Sequence, residues 1–281
     1  MIPCFLSSGA ALVLAALIVS THKRDGVYLA LFSVLSVTAL VQFFYGLTGL
    51  YDTQMLLWRQ LALIGEIALP VTLYYVAFSL IRHLSLPFQQ MCVWRFRLIL
   101  AIAIGLGMFV VGFPETVMSL VPDSGVVLFE RPWGRVIWGC LLIALVVALA
   151  ELEHILRASR DPLRYQIKFV VIGVGGIAGI AIVQASQMLL FSVWQQEYVW
   201  MVAIAVMISV GLITYGLSRW GTEDLSQKLY VSPQALYTSL TFLIVGGYLL
   251  GVGILAEVVR QTGWALSSAL EILLVFVACL A

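Results

Sequence analysis

Charged residues are scarce in this chain: Asp, Glu, Lys and Arg make up only 10% of its 281 residues. Soluble globular domains carry about 25% of such residues, so the sequence lacks the groups needed to cover an ordinary water-exposed surface. We therefore expect a lipid bilayer to surround the chain, and we expect no nucleic-acid partner.

Cysteine and catalytic motifs are also scarce. The four cysteines, Cys4, Cys92, Cys140 and Cys279, form no Cys-x-x-Cys pair and no cluster with histidine, whereas zinc sites need such clusters. The sequence contains no HExxH, GxSxG or P-loop motif, the short patterns that mark several common enzyme classes. These absences predict no metal site, no catalytic residue and no cofactor within the 281 residues.

Apolar residues dominate instead, at 62% of the chain with a mean hydropathy of +1.06, which indicates an integral membrane protein. A bilayer core about 30 Å thick needs roughly 20 apolar residues per helix. Because irregular backbone cannot face lipid, we predict an all-α polytopic bundle without strands of consequence. Nine spans are predicted, near residues 4–20, 27–50, 57–81, 98–114, 135–156, 169–193, 198–217, 235–259 and 265–281.

The distribution of Lys and Arg predicts the orientation, since short cytoplasmic loops retain positive charge. With the N-terminus outside, eleven basic residues fall on the inner side: Lys23, Arg24, Arg82, Arg95, Arg97, Arg157, Arg160, Arg164, Lys168, Arg219 and Lys228. The outer side holds four, Arg59, Arg131, Arg135 and Arg260. The C-terminus is then cytoplasmic. Residues 114–135 contain three prolines and Asp-Ser-Gly, which predict an irregular external loop.

Polar residues inside the spans are candidates for signal or ligand sensing, because such groups are costly in hydrocarbon and face protein or water. They are Gln42, Glu66, Gln184, Gln187 and Glu271. Gln184 and Gln187 share one helix face. Burial disfavours a charged carboxyl, so Glu66 is expected to be protonated or closely paired. A simple hydrogen bond to a neighbouring helix also explains each residue, and both interpretations stay open.

Two glycine pairs with GxxxG spacing predict close helix packing. They are Gly175 with Gly179 and Gly247 with Gly251. The first pair lies in "GVGGIAG", which resembles a dinucleotide fingerprint. That fingerprint works only after a strand and at the start of a helix, so packing inside a span is the better interpretation.

A polar stretch, residues 151–169, separates two apolar runs and is predicted to face the cytoplasm. Its charged residues Glu151, Glu153, Arg157, Arg164 and Lys168 form a candidate coupling loop, with Arg157 within a turn or two of both glutamates. Ordinary topology determinants are the alternative interpretation.

Two segments in the second half of the chain carry a resemblance to a known family. They are "LEHILRASRDPLRYQIKFVVIGVGG", residues 152–176, and "DLSQKLYVSPQALYTSLTFLIVGGYLLGVGILAEVVRQTG", residues 224–263. With the Arg164-x-x-x-Lys168 pattern and the "YVS" element at residues 230–232, they resemble the N-terminal membrane sensor region of PrsK-type sensor histidine kinases, associated with PEP-CTERM and exosortase systems. The resemblance covers about residues 150–281 and is loose towards the N-terminus.

The resemblance implies a multi-pass protein of the bacterial inner membrane that transmits a signal to a cytoplasmic kinase core. It also implies a homodimer, a response regulator as partner, and ATP with Mg for the kinase core alone. No such core lies within the sequence, so we expect it after residue 281, with a diguanylate cyclase as the alternative output. The full protein would then be a protein-histidine kinase.

A transporter or channel is the alternative function. In that interpretation Glu66, Gln187 and Glu271 would line a polar path. Transporters of this size typically contain inverted repeats with broken helices, and the sequence shows none. A membrane-embedded enzyme ranks third, because no nucleophile, base or metal ligands converge by spacing.

Overall fold

The computed structural model describes residues 2–21, 26–50, 54–83, 89–121, 126–129, 132–159, 163–194 and 199–219. Within these residues, seven helices are long and apolar enough to cross a membrane. The polytopic helical architecture is thus confirmed for this part of the chain. The predicted spans 235–259 and 265–281 lie outside the described residues, so the count of nine stays a prediction, as does the orientation.

Eight helices are described. They are α1 Ile2–Thr21, α2 Gly26–Thr48, α3 Met55–His83, α4 Gln89–Gly112, α5 Pro114–Val117, α6 Trp133–Ala158, α7 Leu163–Phe191 and α8 Val199–Arg219. The largest departure from the predicted bounds is in α4, which begins nine residues before the predicted start at residue 98. Arg95 and Arg97, which were predicted to lie in an inner loop, are helical. Hydropathy locates the apolar part of a helix, and the helix itself continues through flanking charges.

Six of the helices close a ring. In it, α2 packs on α1 and α3, α7 packs on α6 and α8, and contacts of α1 with α8 and of α3 with α6 complete the circle. Helix α4 lies outside the ring against α3, with only 11% of its apolar span buried. Since lipid tails are as apolar as leucine, close packing and interhelical hydrogen bonds hold such helices together. The interior of the ring is where buried polar groups find partners.

A small antiparallel sheet has two strands in the predicted external loop and a third after α7. Strand β1 Met118–Val121 pairs with β2 Val126–Phe129, which pairs with β3 Val193–Trp194. The predicted bundle has no strands of consequence, and these strands are only two to four residues long. The runs "MSLV" and "VVLF" contain β-branched and aromatic residues, which favour strands. Ser192, with a positive φ of 55°, ends α7, and its carbonyl accepts a hydrogen bond from the Phe129 N–H at 2.9 Å.

The close approach of α7 to α8 occurs at Gly173 and Gly176. A Cβ on Gly173 would lie 2.8 Å from the Ser209 carbonyl oxygen, and a Cβ on Gly176 would lie 2.5 Å from the Ser209 Oγ. The predicted pair behaves differently: Gly175 would meet only Leu149, at 3.6 Å, and no described atom lies within 4 Å of a Cβ on Gly179. Small residues do mediate close packing of α7, but the residues that contact α8 are Gly173 and Gly176 instead of the predicted Gly175 and Gly179. Gly247 and Gly251 lie outside the described residues.

Candidate functional site

A buried ion pair lies at the end of the ring that carries the sheet. Arg59 and Glu66 are seven residues apart on α3, about two helical turns, so both side chains lie on one helix face. Arg59 Nη1 donates to Glu66 Oε1 at 2.8 Å, and Nη2 donates to Oε2 at 3.2 Å. Arg59 is fully buried and Glu66 is 8% exposed. The expectation that Glu66 is closely paired thus describes what the structure shows.

The same geometry gives Arg59 a role that the sequence did not predict. The charge distribution counts Arg59 among the outer basic residues, and the structure shows that its side chain is buried inside the bundle. A guanidinium in an apolar interior needs a partner, because an isolated buried charge is very costly. Glu66 supplies that partner in the two-pronged geometry that arginine and carboxylate favour.

Two further side chains extend the pair to neighbouring helices. The Tyr45 hydroxyl on α2 donates to Glu66 Oε1 and accepts from the Gln184 Nε2 on α7. Gln184 Nε2 also lies 3.1 Å from Glu66 Oε1. The four residues, which we call the polar cluster, tie α2, α3 and α7 together through hydrogen bonds. In hydrocarbon such bonds are among the few specific attractions between helices.

Aromatic rings enclose the charged end of the polar cluster. The Arg59 Cζ lies 5.5 Å from the ring centroids of Tyr45, Phe129 and Trp194, and 5.9 Å from that of Trp138. Arginine over an aromatic face within about 6 Å is an attractive cation–π arrangement, and it strengthens when water is excluded. Phe129 belongs to β2 and Trp194 to β3, so the sheet contributes two walls of this aromatic box.

The ion pair is poor evidence for stability and better evidence for a role. Replacing a buried pair with apolar residues is often neutral or stabilising, because removing two charges from water offsets their attraction. Ionisable residues inside a membrane mark functional sites by default.

Pro70 lies four residues after Glu66 within α3, and proline has no N–H to donate to the carbonyl at i−4. The backbone carbonyl of Glu66 therefore lacks its usual helical donor.

A small cavity lies beside the polar cluster, inside the ring of helices. Its volume is about 40 Å³, enough for roughly three water molecules. The walls come from α2, α3, α6, α7 and α8 and are mostly aliphatic. The polar residues among them are Thr38, Gln42, Tyr45, Glu66 and Gln184, together with the indole of Trp138.

The structure brings together three of the five predicted sensing residues. Glu66 and Gln184 belong to the polar cluster, and Gln42 lines the same cavity, where its Oε1 accepts a hydrogen bond of 3.4 Å from the Ser7 Oγ. Gln187 is half-buried and does not line this cavity. Glu271 lies outside the described residues. The alternative interpretation, a simple hydrogen bond to another helix, describes both Gln42 and Gln184.

The candidate coupling residues lie at the opposite end of the bundle. Arg157 donates to Glu153 within α6, whereas Glu151 pairs with Arg95 on α4. The prediction that Arg157 is near both glutamates thus gives the partner of Glu153 but not that of Glu151. Lys168 is exposed on α7, and the backbone of Arg164 lies in the first turn of that helix.

The polar cluster contains one carboxylate, that of Glu66, and no cysteine or histidine. In the described part of the chain, no three His, Cys, Asp or Glu side chains come together as a metal site would require. Both carboxylate oxygens of Glu66 accept hydrogen bonds from cluster partners. No family model, curated protein or solved structure matches this chain.

Two members of the polar cluster, Arg59 and Tyr45, were not predicted as site residues. The spacing of Arg59 and Glu66 is a usable signal, since opposite charges seven residues apart on a membrane helix lie on one face. No comparable signal marks Tyr45, because tyrosine is common near membrane interfaces.

Proposed function

We propose that this chain is the transmembrane signal-input region of a two-component sensor histidine kinase. The polar cluster is the observation that supports a sensing role. It joins α2, α3 and α7 at one point, and aromatic rings of the sheet surround its Arg59 side chain. A change at the sheet end would alter bonds that three helices share. Moving those helices is how a membrane input region biases an output domain.

The kinase identity rests on the resemblance of residues 150–281 to PrsK-type sensors. It implies that a cytoplasmic core using ATP and Mg follows residue 281, acts as a homodimer and phosphorylates a response regulator. The ring supports a sensor over a transporter in one respect. Its cavity of about 40 Å³ holds a few water molecules at most, and α2, α3, α6, α7 and α8 line it.

The test is phosphohistidine formation by the gene product in its own membrane. An N-terminal epitope tag is placed at the chromosomal locus, and membranes are incubated with [γ-³²P]ATP. We expect acid-labile, base-stable label on the tagged polypeptide. In the Glu66→Gln variant the level of label should change, because the substitution removes the charge that pairs with Arg59 and keeps the size of the side chain.

Ser79→Ala is the matched control. Ser79 is buried on the same helix, and in the described part of the chain its hydroxyl bonds only to the Val76 carbonyl within that helix. Label that is unchanged in both variants over a wide pH range would make Glu66 structural. A tagged polypeptide without phosphohistidine that instead carries out Glu66-dependent solute uptake in proteoliposomes would overturn the proposal and establish the transporter.

A further inference from the structure

Two buried polar atoms beside the cavity have no hydrogen-bond partner among the described residues. They are the Thr38 Oγ1 on α2 and the Trp138 Nε1 on α6. Thr38 is 4% exposed and Trp138 is 2% exposed, and both residues line the cavity. Buried polar groups in native proteins nearly always have a partner, and one without a partner calls for an explanation such as a bound molecule.

The chemistry of the two atoms specifies what would satisfy them. An indole N–H only donates, and a threonine hydroxyl both donates and accepts. An oxygen atom of a bound molecule can accept from Trp138, and a hydroxyl group can donate to Thr38 or accept from it. The rest of the cavity wall is mostly aliphatic, with Leu141, Leu145 and Val206 among its residues. A complementary molecule carries a hydroxyl or carbonyl oxygen on a short apolar body.

The charge and size of the cavity further restrict the class of ligand that it can bind. The Glu66 carboxylate that lines it is already neutralised by Arg59, so the wall presents no net charge to a ligand. A charged molecule entering this site would lose its hydration without gaining a counter-charge. The volume of about 40 Å³ limits the occupant to about three heavy atoms without rearrangement.

We propose that this cavity binds a small uncharged molecule with one hydroxyl or carbonyl oxygen, of the size of a short-chain alcohol. Such molecules cross bilayers and can reach a site inside the ring of helices. The inference deepens the proposed function, on which it rests for its meaning as a signal: occupancy beside Glu66 and Gln184 would change the packing of α2, α3 and α7. Binding itself can be measured without any kinase output.

Ethanol is the probe, and the full 281-residue protein in lipid nanodiscs with methyl-labelled Leu and Val is the sample. Intermolecular NOEs from the ethanol methyl group to Leu141 and Val206 are expected, together with saturable shifts of those methyl signals. These signals report on the ring interior, so ethanol dissolved in the surrounding lipid does not contribute to them.

Two classes of variant sharpen the test. Ala181→Val and Val206→Leu add methyl or methylene groups to the cavity wall and should remove the Leu141 NOE. Leu145→Ala enlarges the cavity and should shift the preferred alcohol from ethanol towards butanol. Trp138→Phe keeps an aromatic ring but removes the donor, so it should weaken ethanol binding about tenfold and leave xenon, which forms no hydrogen bond, unaffected.

Three results would overturn the inference. They are NOEs from the cavity methyl groups to water alone, ethanol shifts of equal size in the wild type and both filled variants, and equal losses of ethanol and xenon binding in Trp138→Phe. Each of these results leaves the phosphohistidine assay untouched, so failure of the binding site and failure of the kinase proposal are distinguishable.

Discussion

Arg59 and Glu66 form a two-bond ion pair within one helix, with the guanidinium fully buried and the carboxylate 8% exposed. The pair does not depend on docking of another helix, because both residues belong to α3. Tyr45 and Gln184 then attach α2 and α7 to the same carboxylate. The two charges can therefore pair within α3 before the other helices pack against it.

The ion pair predicts a particular order of stabilities among variants at these two positions. Removing one partner leaves an uncompensated buried charge, so Arg59→Met or Glu66→Met alone should each destabilise the fold by about 3–5 kcal/mol. The double variant removes both charges and keeps similar volume. It should be more stable than either single variant, as measured by unfolding in bicelles with increasing sodium dodecyl sulfate.

The exposed pair Arg157 and Glu153 provides the comparison for this cycle. Its side chains are 50% and 21% exposed, and pairs of this kind contribute roughly 0.5 kcal/mol or less on helices. Losing it should barely move the unfolding midpoint. Strictly additive losses at Arg59 and Glu66 would contradict the buried pair that the structure shows.

Tyr45→Phe tests the link from α2 to the polar cluster. The substitution removes the hydroxyl that donates to Glu66 and accepts from Gln184, but Gln184 keeps its own bond of 3.1 Å to Glu66. We expect a loss of about 1–3 kcal/mol in the free energy of unfolding. Tyr74→Phe is the matched control, because among the described residues the buried Tyr74 hydroxyl accepts only a weak thiol bond of 3.4 Å from Cys92. An equal loss at both tyrosines would show that the Tyr45 hydroxyl has no special role.

Hydropathy alone predicted the seven described membrane helices, because length and apolar content decide whether a segment can span a bilayer. The strands Met118–Val121 and Val126–Phe129 were not predicted, because the prolines and Asp-Ser-Gly of residues 114–135 suggested an external loop. A short β-sheet needs only strand-favouring residues and a partner, and the partner β3 lies about 65 residues further along the chain. Such distant pairing leaves no local pattern.

Three residues of the candidate site could be predicted from the sequence, but the contacts between them could not. A lone carboxyl or amide in an apolar run is visible in the sequence, and this identified Gln42, Glu66 and Gln184. Which of them meet depends on the order of helices around the ring, which consecutive spans do not specify. The burial of Arg59 was not predicted, because Arg59 lies in the second turn of α3, close enough to the helix start to resemble an interfacial charge.

The glycines of α7 separate the sequence hypothesis from the structure directly. Gly173→Ala should be destabilising by about 1–3 kcal/mol, because the added Cβ would meet backbone atoms of α8, 2.8 Å from the Ser209 oxygen and 3.0 Å from the Ile213 nitrogen. Gly179→Ala should be neutral or stabilising by up to about 1 kcal/mol, since alanine favours helix and no described atom obstructs it. Unfolding measurements on the two variants decide the matter, and the reverse order would restore the Gly175 and Gly179 packing face.

The orientation of the bundle predicts the outcome of reporter fusions, and it decides which compartment the sheet and the polar cluster face. The eleven-to-four split of basic residues predicts that the loops near residues 24, 160 and 228 are cytoplasmic. Fusions there should be active with a cytoplasmic reporter, and fusions near Asp123 and Gln195 with an exported one.

In the structure, β1, β2 and β3 lie at one end of the bundle, and their residues Phe129 and Trp194 pack around Arg59. An external reporter signal at residues 123 and 195 would therefore place the aromatic box on the outer side, where a signal from outside the cell can reach it. A cytoplasmic signal at both positions would reverse the bundle and remove the basis for an input that arrives from outside.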